Sequence, residues 1–188
     1  MEVLKISNNA LKKAVIIIRG GGVVIFPTDT VYGFLADAQN KKAVEKIYKI
    51  KKRSKLKPLS VFVKDIKTAG KIALIDSEQS KMLRKFWPGK YTFILKRKPV
   101  ALYGLDKNTI ALRIPKYLFL QKLLKQIDRP LVQTSVNISN QYFLNNINDI
   151  VATFGKSKLV AFIIDGGKIK NAKPSKIIDL TNNTIIRT

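Results

Sequence analysis

Short apolar runs rich in β-branched residues alternate with amphipathic stretches along the whole of this 188-residue chain, and that alternation narrows its fold more than any other feature. Val23–Pro27, Leu59–Val63, Tyr91–Leu95, Thr109–Ile114, Leu131–Ser135 and Leu159–Ile164 read as strands. Asn8 or Asn9 can cap a helix running to Arg19, where Gly20–Gly22 end it. Lys41–Lys52 sets Ala43, Val44, Ile47 and Ile50 at helical spacing with cations on the other face. Ile66–Ile75, Ser77–Phe86, Tyr117–Ile127 and Ile147–Phe154 predict further helices, and Ile177–Leu180 with Thr184–Arg187 a hairpin around Asn182-Asn183. Interleaved helices and strands imply a layered α/β domain. The strands are too unevenly spaced for a βαβ repeat, so a mixed sheet is expected, in one domain spanning residues 1–188.

Two absences then limit the chemistry. Without cysteine or histidine there is no disulfide, thiolate nucleophile, zinc–sulfur site or imidazole base. The N-terminus lacks the basic-then-apolar pattern of a secretory signal, and Val15–Ile18 is too short to cross a bilayer. A cytoplasmic protein with no membrane contact is expected. Thirty-six Lys+Arg against twelve Asp+Glu give a formal charge of +24. Such an excess suits polyanion binding, RNA included, although abundant Lys, Ile and Asn also fit a compositional skew.

Phosphate motifs are incomplete. Gly155-Lys156-Ser157 resembles the end of a Walker loop, but Ile150 stands where its first glycine belongs. Gly20-Gly21-Gly22 precedes a strand instead of following one, so both segments are expected to be turns.

Four other segments carry candidate chemistry. PTDTVYG, Pro27 to Gly33, follows a strand, and an extended chain would project Thr28 and Thr30 from one side; a capped turn entering a helix accounts for the same residues. Six cations crowd Lys49–Lys57 at a helix-to-strand crossover, where fixed charges could hold a phosphate-bearing ligand. TSVNISN, Thr134 to Asn140, gathers Ser135, Asn137 and Ser139, short groups suited to positioning. DGG…PSKIIDL, Asp165 to Leu180, places Ser175 just before a strand.

In this order, with Trp87-Pro88-Gly89 and Ala111–Pro115 between them, these segments resemble the YrdC-like L-threonylcarbamoyladenylate synthases from about Ala14 to Arg187. The resemblance implies a twisted mixed β-sheet flanked by helices around a large basic cavity. It also implies the joining of L-threonine, bicarbonate and ATP into threonylcarbamoyl-AMP and pyrophosphate, for threonylcarbamoyladenosine modification of tRNA next to the anticodon. By matching position, Thr30, Arg113, Ser135 and Ser175 would contact threonine. Arg53, Lys57, Thr109, Asn137 and Arg187 would contact ATP, with Lys51 lining the same pocket and acting with Arg53 as a catalytic cation. Magnesium would accompany ATP, with no protein-ligated metal, and proteins that transfer the threonylcarbamoyl group to tRNA would be downstream partners. Nothing follows Thr188, so the short single-domain form is expected.

The chain departs from the family pattern at Ser54 (usually proline), Val136 (usually alanine), Asn140, Asn171 and Ala172 (where glycines are common) and Phe62 (histidine in some members). None of these changes removes a cationic or hydroxyl candidate. Two other readings stand beside the enzyme: a double-stranded RNA or ribosome-binding module of the same fold, and a paralogue with a different acyl substrate.

Overall fold

The computed structural model describes residues 1–188. Ten strands form one mixed sheet: β1 (Glu2–Lys5), β2 (Val24–Phe26), β3 (Gly33–Asp37), β4 (Ser60–Phe62), β5 (Tyr91–Lys96), β6 (Thr109–Arg113), β7 (Leu131–Ser135), β8 (Phe162–Asp165), β9 (Lys176–Asp179) and β10 (Thr184–Arg187). Their order across the sheet is β1-β8-β2-β3-β7-β4-β6-β5-β9-β10. Pairing is parallel for β1–β8, β2–β8, β4–β6 and β5–β9, and antiparallel elsewhere. Six helices complete the chain: α1 (Asn8–Arg19), α2 (Lys41–Lys51), α3 (Ile66–Ile72), α4 (Ser77–Phe86), α5 (Leu118–Ile127) and α6 (Ile147–Phe154).

The period of two along each strand divides the core. Ile25, Phe34, Ala36, Val61, Ile110, Leu112 and Val132 join the larger cluster, where α2, α3, α4 and α6 bring Ile47, Ile72, Leu83 and Phe154. Val24, Phe26, Leu35, Phe62 and Leu131 face the other way and meet α1 and α5 through Ile18, Leu120 and Leu124. The helices α1 and α5 also pack on each other, and the strand residues they cover belong mainly to β8, β2, β3 and the ends of β4 and β7. Farther along that same face the alternation continues through Ser60, Gln133 and Ser135, then Thr109, Ala111 and Arg113. No residue of either helix lines the region where these side chains lie. A polar stretch of sheet is thereby left open.

Several sequence expectations require correction. The cap of α1 is Ser7, whose side chain accepts from Ala10 N, because the helix already includes Asn8 and Asn9. PTDTVYG leads into β3 and not into a helix; no strand is expected there from the sequence because Phe, Leu and Ala supply no β-branched signal and burial of all five residues erases any alternation. β1 is an edge strand of four largely exposed residues and carries no apolar run. Gly155–Ser157 and Gly20–Gly22 do lie at turns following helices.

Candidate active site

The open stretch of sheet is the floor of a cleft of about 510 Å³. Eight of the ten expected site residues line it: Thr30, Arg53, Lys57, Thr109, Arg113, Ser135, Ser175 and Arg187. They come from the PTDTVYG turn, the loop after α2, β6, β7, the residue just before β9, and β10. Four cations among them face a single lining carboxylate, Asp106.

Thr28 and Thr30 meet through a turn, and the extended geometry expected of them does not occur. The Thr28 hydroxyl accepts from the backbone N–H groups of Thr30 and Val31, donates to Val31 O, and lies 3.0 Å from the Thr30 hydroxyl. Thr28 therefore shapes the turn, and Thr30 lines the cleft. There Thr30 accepts from Arg113 Nη1 at 2.9 Å. The Arg113 side chain is almost wholly buried, with its guanidinium 5.6 Å from the centre of the Phe62 ring. Burial pushes its pKa down, Asp29 pulls it back up, and nearby Arg187 lowers it again. The substitution of phenylalanine for histidine at position 62 thus leaves an aromatic face against this arginine.

At the same end, Arg187 reaches across from β10, donating to Ser175 O at 2.8 Å and Ser175 Oγ at 3.2 Å. Ser175 Oγ also lies 2.8 Å from the buried Thr92 hydroxyl, so Thr92 anchors the serine from below. No salt bridge involves Arg187, whose charge is free for a bound anion.

Arg53 staples its own loop, donating from Nε to Lys57 O at 3.1 Å and from Nη2 to Pro58 O at 3.0 Å. Leu56 stands 93% exposed on that loop and lines the cleft. At the opposite wall Asp106 accepts from the backbone of Asn108 and Thr109 and from the Thr109 hydroxyl. With its proton given to Asp106, Thr109 is left to act as an acceptor toward the cleft.

Neither Lys51, expected to line the pocket, nor Asn137, expected to contact ATP, lines the cleft. Lys51 is 1% exposed and stands behind the wall. Its ammonium donates to Ser135 O at 2.6 Å, Asn137 O at 3.0 Å and Asn137 Oδ1 at 2.6 Å, while its own carbonyl accepts from Ser139 N. Ser135 Oγ donates to the same Asn137 Oδ1 at 2.8 Å. All three ammonium hydrogens thus tie the S-x-N turn to the end of α2. Burial, with a smaller effect of the Arg53 charge, lowers the Lys51 pKa to about 7.

Asn140 and Asn171, two of the three positions where glycines are common in the family, have φ of 68° and 50°, the left-handed region that asparagine enters more readily than most residues. Sequence reasoning also passed over Asp29, Ser60, Gln133 and Thr134. Ser60 and Gln133 are cross-strand partners whose side chains hydrogen-bond across the cleft floor. The polar parity shared with Ser135 was the signal that could have found Gln133.

No helix is long and apolar enough to cross a membrane. A family model for Sua5/YciO/YrdC, described as telomere recombination, matches residues 16–188. The chain is 35% identical to the threonylcarbamoyl-AMP synthase of Buchnera aphidicola, over 88% of this chain and 95% of that protein. Its fold superposes on that of Pyrococcus abyssi Sua5 complexed with L-threonine with a TM-score of 0.88 at 29% identity, covering 96% of this chain and 55% of that one. It therefore spans about half the length of that Sua5 chain. The Escherichia coli YciO structure gives the same TM-score at 26% identity, covering 99% of this chain and 94% of that one. Matched across nearly all its length in sequence and in fold, the chain belongs to the Sua5/YciO/YrdC family.

Proposed function

We propose that the protein is a cytoplasmic adenylyl-transferring enzyme that forms threonylcarbamoyl-AMP and pyrophosphate from L-threonine, bicarbonate and ATP, for modification of tRNA. The observation that carries this reading is the convergence of two groups on one cleft. Arg113, Thr30, Ser175 and Arg187 stand at one end, and Arg53, Lys57 and Thr109 also line the walls. The threonylcarbamoyl-AMP synthase relatives and the threonine complex of Sua5 support it.

The residue set suits the step. The threonine amine forms a C–N bond to the bicarbonate carbon as a C–O bond breaks and water leaves, giving a carbamate whose oxygen is already anionic, so its attack on the α-phosphorus needs no histidine or cysteine base. That oxygen forms the new P–O bond as the bond to the leaving pyrophosphate breaks. The demand on the protein is to align two anions that repel each other and to neutralise the charge that builds on the phosphate oxygens. Arg53, Lys57 and Arg187 line the cleft and would supply that charge. No group of three or more carboxylate, histidine or cysteine ligands is gathered anywhere, so magnesium would enter on the nucleotide. Once bound it would screen the phosphate charge.

Pyrophosphate release, measured with ATP, bicarbonate and each amino acid in turn, tests the reading. Release is expected only with threonine; release without it, or with another amino acid preferred, would favour the paralogue. Arg53→Ala is expected to slow the reaction roughly ten-fold or more, about 1.4 kcal/mol in the transition state. Unchanged kinetics would remove Arg53 from the mechanism.

A basic groove beyond Thr109 favours RNA as an additional partner. It is lined by Lys96, Arg97, Lys98 and Lys107. Arg97 is spent on the carbonyls of Val100, Leu102 and Asp106, which fix the groove wall. Lys96 and Lys107 are exposed. Affinity for double-stranded RNA should fall steeply with salt, and Lys96→Glu with Lys107→Glu should flatten that slope by about two contacts. An unaltered slope removes this groove as the binding surface.

A further inference from the structure

We propose that Asp29 is a positioning residue for amino-acid recognition: its carboxylate locks the buried Arg113 guanidinium so that two unspent N–H groups are offered to the cleft as a grip for a carboxylate.

A guanidinium has five N–H donors in a planar fork. Three of those on Arg113 are spent inside the protein: Nε on Gly89 O at 2.9 Å, Nη1 on Thr30 Oγ1 at 2.9 Å and Nη2 on Asp29 Oδ1 at 2.5 Å. One donor remains on each terminal nitrogen. Because Arg113 lines the cleft, these two are what an entering anion meets. A carboxylate has two oxygens for two such donors, and amino-acid substrates carry one.

Asp29 is the only acid that pairs with Arg113, and the pair is almost fully shielded, with side-chain exposures of 2% and 8%. Its second oxygen accepts from Lys116 N at 3.0 Å, just past the end of β6. The carboxylate is thus fixed at both oxygens and cannot swing away with the arginine. The turn that Thr28 shapes delivers the adjacent residues Asp29 and Thr30 to different nitrogens of one guanidinium. Asparagine at position 29 has the same shape but only one acceptor atom, so either Arg113 or Lys116 N would lose its partner in a buried place. The freed guanidinium, with Arg187 nearby, would turn toward whatever anion is at hand. Asp29 does not itself line the cleft, so its effect must pass through Arg113.

This inference rests on the cleft being an amino-acid and ATP site, and the test separates the two. Wild-type protein is assayed first for threonine-dependent pyrophosphate release; if it releases none, the functional reading fails and this inference with it. With wild type active, Asp29→Asn is expected to raise the KM for threonine about ten-fold or more while the KM for ATP changes less than about two-fold. A merely structural pair would lower the melting temperature and shift both constants together, or neither, and either pattern overturns the proposal. If Asp29→Asn does not fold, Asp29→Glu keeps the charge and displaces it by one methylene, and the same split in KM is expected. Failure of both variants to fold would assign Asp29 to stability and also overturn the proposal.

Discussion

Lys51→Met is expected to lower adenylate formation about a hundred-fold or more, although the side chain it removes never reaches the cleft. The Lys51 ammonium holds Ser135 O, Asn137 O and Asn137 Oδ1 together, and the Ser135 hydroxyl shares the last of these. Methionine is also unbranched, though one atom shorter, and donates nothing, so the turn can drift by the ångström or so that costs a positioned reaction orders of magnitude. The pH behaviour separates this role from proton transfer. Three acceptors require the three hydrogens of the charged form, and burial has brought the lysine pKa down to about 7. Activity should therefore decline as the pH rises above about 7, as one tie is lost. Stability should move the opposite way. Between about 7 and the ordinary value of 10.5 the folded chain binds fewer protons at Lys51 than the unfolded chain, so its stability increases with pH across that window. Thermal melts and initial rates from pH 6 to 10 check both signs, and Lys51→Met should lose both trends. A rate that climbs through pH 7 to 9 in the wild type would overturn this account.

Arg113→Met should be the most damaging single change to the fold among the cleft residues. Breaking a buried ion pair by removing one partner costs about 3–5 kcal/mol, because the other charge stays behind unpaired. Here Asp29 would keep only Lys116 N, and Gly89 O would lose its side-chain donor. A guanidinium chloride midpoint well below wild type is expected, together with loss of threonine-dependent pyrophosphate release. Adding Asp29→Asn to Arg113→Met removes the stranded charge and should recover part of the stability with none of the activity. Recovery of activity in the double variant would show that neither residue recognises substrate.

Much of this arrangement was legible in the sequence because motif residues sit on strands whose ends are marked. Leu131–Ser135 and Ser77–Phe86 match their predicted spans, the first bounded by Pro130, the second begun by the Asp76–Gln79 capping box and closed before Pro88. Eight candidate side chains meet in one cleft because each projects from a strand or from a loop that leads into one. The parts that escaped notice share a physical cause. β3 lies between β2 and β7 and is buried on both faces, so its Gly-Phe-Leu-Ala-Asp carries no periodic signature. Lys51 is a candidate on its motif, but nothing in the basic run marks it as standing behind the cleft wall. Only the pairing that brings the end of α2 against the S-x-N turn turns it inward, and a contact across more than eighty residues leaves no local trace. Asp29 was hidden in the same way: its partner Arg113 lies 84 positions away.

The strand order has a kinetic consequence. β8 inserts between β1 and β2, and β9, from the last part of the sequence, pairs with β5 from its middle. Around the cleft, the pairings β3–β7, β4–β7, β4–β6 and β5–β9 each close a long loop, whose entropy must be spent before any contact repays it. Refolding should accordingly be slow for a chain of this size, and a half-assembled intermediate would have no weakened version of the cleft, since its walls are contributed by segments that meet only when the sheet is whole.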